Sequence, residues 1–205
     1  MQKGSEMVNG KDAIRWALLV CAVSTCAWQS RADDSSLASH DDGESILSII
    51  EKDIAKATEI IERDPDSMAE YFRRAVRLNQ KMELVKSIKD FGQVLRLSPS
   101  NPRFYLLRGE LWREIGEPQL AESDFDEAVR LIDVDLEKDP QQEKINLRDR
   151  AWAWYTKGHV EKAISDLDKA LTVETENTLF RSALFEMRGV VWRQRGDMDK
   201  ADEDF

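Results

Sequence analysis

The side chains able to do chemistry are few, and their spacing does not favour it. Histidine occurs only at His40 and His159, and neither has a second His or a Cys at ligand spacing, so a structural zinc site does not fit. The only two cysteines, Cys21 and Cys26, lie inside an uncharged run, WALLVCAVSTCAW, at 16–28. Asp197, Asp199, Asp202 and Asp204 have the composition of a calcium loop, but the central glycine such a loop needs is missing. Asp133, Asp135, Glu137 and Asp139 alternate, which on a helix scatters them round the axis as a solvated face. The sequence holds no glycine-rich phosphate loop and no Gly-x-Ser-x-Gly elbow. Catalytic, cofactor and metal residues are therefore assigned to none of these positions, and the chain is read as not an enzyme.

Two charged residue types do recur. Arg74, Arg108, Arg150 and Arg188 each precede an aspartate, Asp90, Asp124, Asp166 and Asp204, by the same 16 residues. A catalytic site is built once and this arrangement four times, so the expected chemistry is ion pairing that fixes the register of neighbouring elements. Exposed pairs of this kind contribute about 0–1 kcal/mol, shielded bidentate ones more.

The elements that would hold those pairs follow from the apolar residues. With Gly109 as position 8 of a 34-residue unit, four copies align at 68–101, 102–135, 144–177 and 182–205, the last incomplete. Position 8 is Ala75, Gly109, Ala151 and Gly189; position 11 is Leu78, Trp112, Trp154 and Trp192. Position 20 is Ser87, Ala121, Ala163 and Ala201; position 24 is Phe91, Phe125, Leu167 and Phe205. Positions 4, 8 and 11, and again 20, 24 and 27, step i, i+4, i+7 along one helix face. Each unit is thus two amphipathic helices, joined at Gly116, Gly158 or Gly196, where glycine can take the left-handed conformation that ends a helix. Small residues at 8 and 20 let the helices approach, and large ones at 11 and 24 fill the space beside the crossing. Two inserts, Leu136–Glu143 and Thr178–Arg181, are expected to lengthen the helix before each, with Pro140 and Gln141 as the delayed stop. Upstream, 45–66 reads as one capping helix with Ile46, Ile50, Ile54, Ala57 and Ile61 on a face, ending at Asp64-Pro65. At the other end the final helix is short, and a chain truncated at residue 205 is the favoured explanation.

The 34-residue period and its order of small, aromatic, alanine and phenylalanine positions resemble the tetratricopeptide repeat family over residues 68–205. The resemblance implies an all-α fold, a right-handed superhelical array of antiparallel helix pairs. It also implies an inner groove lined by first helices at positions 2, 5, 9, 12 and 13, holding an extended peptide or a partner helix. Carried over by position, the groove candidates are Phe72 and Val76 in the first copy and Arg103, Leu106 and Arg113 in the second; Arg148, Trp152 and Tyr155 follow in the third and Arg193 in the fourth. Asn79, Glu110, Ile145, Glu186 and Val190 fall at the same positions. The family's basic clamp for a terminal carboxylate needs Lys and Asn where this chain has Phe72 and Val76, so that activity is not implied. Trp152, with Arg148 and Tyr155 a turn to either side, is the expected exposed anchor, Trp, Tyr and Arg being the usual hot-spot residues. The alternative is that the long helix made by the eight-residue insert covers it.

The start of the chain differs from the rest. Lys3, Lys11 and Arg15 precede the apolar run of 13 residues, which is too short for a membrane-spanning helix of about 20 residues but suits a secretory signal over 1–32. Cleavage ahead of Asp33, or after Ala27, would remove both cysteines. With 1–32 gone, 26 basic residues face 38 acidic ones, a formal charge of −12, which disfavours nucleic acid and anionic membrane as partners. Residues 33–44 (DDSSLASHDDGE) then form a flexible acidic linker. The expected function is a noncatalytic scaffold, exported to a periplasmic or secreted location, that takes a protein or peptide in its groove. The alternatives are an accessory region of a larger secreted enzyme or envelope assembly, and an uncleaved leader acting as a membrane anchor.

Overall fold

The computed structural model describes residues 45–138, 142–173 and 177–205. The leader, the acidic linker and the expected stop at Pro140–Gln141 lie outside the described residues. Those residues form nine α-helices and no strand: α1 (Ile46–Arg63), α2 (Met68–Gln80), α3 (Leu84–Leu97), α4 (Pro102–Glu114), α5 (Pro118–Lys138), α6 (Glu143–Thr156), α7 (Val160–Thr172), α8 (Thr178–Arg195) and α9 (Met198–Asp204). From α2 onward they pair as the repeat register requires, and the second helix of each unit packs on the first helix of the next.

Each crossing is built from the small positions. Ala75, Ala151 and Ala163 are wholly buried, and Ser87, also buried, donates its hydroxyl to the Ala75 carbonyl at 2.8 Å. A Cβ added at Gly109 would stand 2.7 Å from the Phe125 ring, and one at Gly189 2.9 Å from the Phe205 ring. In these two units glycine at position 8 leaves the room that the phenylalanine at position 24 fills, whereas the first unit packs Phe91 with Ala75 at that position. Trp112 belongs to the seam between units, packed with Leu107 against the Ala75, Ile88, Phe91 and Leu111 core. Trp154 and Trp192 are each covered by a lysine eight residues on, Lys162 at 4.1 Å and Lys200 at 4.3 Å from the ring centroids. Such cation–π contacts add to the cover of the buried Trp192 and the half-buried Trp154.

The turns share one geometry. Gly116, Gly158 and Gly196 have φ of 83°, 79° and 95°, and the following residue donates its N–H to the carbonyl of position 11 in each unit. In the first unit the same place is held by Met82, at φ 60°. Its bulky side chain is out of place in the left-handed region, and Met82 is exposed there.

The capping helix packs on the first unit through Ile50, Ala57 and Ile61, all buried, and through the Asp53–Arg77 and Glu51–Lys81 ion pairs at 2.7 and 2.9 Å. Ile46, expected on the buried face, is 77% exposed. The eight-residue insert behaves as expected from its length, since α5 runs for 21 residues. The four-residue insert does not. Thr178–Arg181 opens α8 rather than extending α7, because the Asn177 side chain accepts the Phe180 N–H at 3.0 Å and starts a new helix there.

Candidate functional site

All four arginine–aspartate pairs form, each within one unit. Nε and Nη2 of Arg74, Arg108, Arg150 and Arg188 donate to the two carboxylate oxygens of Asp90, Asp124, Asp166 and Asp204 at 2.6 to 2.8 Å. The aspartate side chains are 4 to 7% exposed and the arginines 20 to 24%. These hydrogen bonds hold the four guanidiniums above the usual arginine value. Three arginines also reach the preceding second or capping helix with Nη1: Arg74 to Thr58 at 3.1 Å, Arg150 to Asp133 at 2.6 Å and Arg188 to Asp168 at 2.7 Å. The pairs are thus internal struts.

The inner face is formed by α2, α4, α6 and α8, and it is far more filled in its third copy than the groove expectation allowed. Leu106 is 3% exposed, Arg148 3%, Trp152 6% and Tyr155 6%. Trp152 is therefore not an exposed anchor. It lies close enough to the Glu110 carboxyl of α4 to favour its charged form, and its ring lies 5.3 Å from that of Tyr155. Arg148 lies beneath the Phe180 ring at 5.4 Å. Phe180 belongs to the extra turn that the four-residue insert adds to α8, so that insert covers Arg148 of α6. The remaining candidates divide in two. Phe72 is half-buried and meets Phe91 edge-on and Phe104 at a tilt, at 6.0 and 5.6 Å, while Val76 and Arg103 are also half-buried. The Arg113 side chain is 37% exposed, and Arg193 is exposed over the Phe205 ring.

Asp149 is the residue that repeat reasoning passed over. It accepts Arg103 Nε from α4 at 2.7 Å on one oxygen and Arg148 Nε and Nη2 at 2.9 and 2.6 Å on the other, with a side chain only 2% exposed. Position 6 holds Arg73, Leu107, Asp149 and Met187 in the four copies, so no recurrence marks it.

Glu110 is the second. Its Oε2 accepts Arg113 Nη2 at 2.5 Å and Nε at 3.2 Å, while Oε1 is buried with no partner. Burial pushes its carboxyl above the usual glutamate range, and Arg113 opposes that. His159 is exposed in its turn, with its ring against Trp154. Asp204 and Asp133, from the two acidic clusters, are committed to the arginine struts. Among the described residues no group of His, Cys, Asp and Glu is placed to hold a metal ion.

The family model for the tetratricopeptide repeat matches residues 86–142. No curated protein matches the sequence. Among solved structures, MamA 41-end from Desulfovibrio magneticus RS-1 is 16% identical, with a TM-score of 0.51 over 92% of this chain and 90% of that one. Another MamA protein is 15% identical, with a TM-score of 0.50 over 77% and 79% of the two chains. A Podosopora anserina putative kinesin light chain with TPR-like repeats is 16% identical, with a TM-score of 0.51 over 77% and 81%. At such identities the likeness is one of fold. Together with four helix pairs in a common 34-residue register and the match of the family model over residues 86–142, it gives this chain the fold of a tetratricopeptide repeat array.

Proposed function

We propose that the array is a noncatalytic scaffold whose first-helix face docks a segment of a partner protein. The observation that carries this reading is the division of labour within each unit. Every residue that recurs in register joins helix to helix, whereas the first-helix positions facing inward change from copy to copy: Val76, Glu110, Trp152 and Val190 share position 9. A surface free of scaffold duty can be varied for recognition. Filling of the third copy leaves the first and second units, around Val76, Asn79 and Arg113, and the fourth, around Glu186 and Arg193, as the more open parts of that face.

Site-directed photocrosslinking tests the idea. A benzophenone side chain at Val76 should capture a partner that the same group at the exposed second-helix positions Lys89 or Lys169 does not. Equal capture from both faces, or none from Val76, would defeat the scaffold reading.

We also propose export, supported by the charged start and the apolar run at 16–28. The mature protein is then expected to begin at Asp33. Mass spectrometry finding Met1 or Met7 at the amino terminus of the protein isolated from its native compartment would remove that proposal. Among the described residues no helix is long and apolar enough to cross a membrane.

A further inference from the structure

Four side-chain atoms are buried without a hydrogen-bond partner among the described residues: Glu70 Oε2, Asn79 Oδ1, Glu110 Oε1 and Asn146 Nδ2. All four lie on first helices, and three of them are acceptors. The buried polar side chains of the second helices are by contrast engaged, Ser87 by a carbonyl and Asp90, Asp124 and Asp166 by arginines. An unmet buried polar atom is costly enough that its persistence on one face calls for a reason.

Glu110 is the most informative of the four. It stands one residue before the last turn of α4, close to the free backbone carbonyls that favour positive charge. Arg113 is the one cation nearby in that stretch, against Glu110, Glu114 and Glu117, and Glu114 acts on Glu110 by like-charge repulsion. One carboxylate oxygen is occupied and the other is not. Its side chain keeps 11% exposure, so the carboxylate can be reached from the protein surface.

We propose that the docked segment presents a basic side chain, lysine or arginine, to this point, with Glu110 Oε1 as its acceptor and Glu114 as the flanking charge. The inference rests on the docking reading above and specifies the chemistry of the partner. An acidic segment would meet the same carboxylates and the same helix end with the wrong sign.

A random peptide library displayed on phage and panned against the full chain provides the probe. Lysine and arginine should be enriched among retained peptides relative to the input. A retained peptide, synthesised with a fluorophore, should bind Glu110→Gln about tenfold more weakly, the loss of one charge-assisted hydrogen bond, and should bind Glu62→Gln, on exposed α1 surface, as it binds the wild type. Glu110→Gln keeps the shape, and circular dichroism verifies that it folds. Retention through the Val76 face without basic enrichment, or enrichment that survives Glu110→Gln, overturns this proposal and leaves the docking reading standing. Failure to retain any peptide overturns both.

Discussion

At the scale of single residues, the repeated arginine–aspartate pair is the feature with the clearest energetic meaning. Arg108 and Asp124 meet through two parallel hydrogen bonds, with the aspartate side chain 6% and the arginine 24% exposed. That geometry lies between a surface pair, worth about 0–1 kcal/mol, and a buried one. A double-mutant cycle with Arg108→Ala and Asp124→Ala, followed by urea unfolding, should give a coupling of about 1–3 kcal/mol. Coupling below about 0.3 kcal/mol, the limit of additivity, would mean the pair contributes nothing to stability. The pair was legible in the sequence because it recurs at a constant interval in four copies. Asp149 was not, because its two arginine partners come from different units and nothing at position 6 repeats.

For the helix pair, the same substitution should have three outcomes at three glycines. Gly109→Ala places a methyl group 2.7 Å from the buried Phe125 ring, and overpacking of this kind costs about 1–3 kcal/mol. Phe125→Leu in the same chain should recover part of that loss. Gly189→Ala meets Phe205 at 2.9 Å, but that ring is 63% exposed and can swing aside, so the cost should be smaller. Gly92 lies within α3 with nothing near its missing side chain. There alanine should stabilise by about 0.5–1 kcal/mol, through helix propensity alone. Thermal denaturation of the three variants should rank them in that order, and a Gly109→Ala protein as stable as wild type would contradict the close crossing. The element scale also holds the one misplaced insert. Counting turns predicts that four extra residues add about one helical turn, but not to which helix. Asn177 decides that by capping α8.

At the scale of the array, the repeat helices that pack extensively among the described residues belong to one unit or to adjacent units, so stability is expected to behave as a sum of units and the interfaces between them. Asp149 joins the second and third units through Arg103 and Arg148, both carried on first helices. Asp149→Ala would leave the buried Arg148 without its counter-ion, a change that costs about 3–5 kcal/mol in comparable buried pairs. Hydrogen exchange should then show α6 and α7 opening at lower free energy while α2 and α3 keep their protection. A uniform fall across every helix would show that the array unfolds as a single body and that the nearest-neighbour picture does not apply.

The sequence by itself determined the helix pair, its period, the small-against-large crossing and the arginine struts, because all of these are contacts within one unit and return each time the unit is written. Only the tertiary structure decided which part of the inner face stays open. That depends on how consecutive first helices lie against one another and on an extra turn of α8 that brings Phe180 over Arg148; Trp152, Tyr155 and Leu106 are buried on a face expected to be free. Such contacts join different units through residues that occur once, and a period carries no information about what does not repeat.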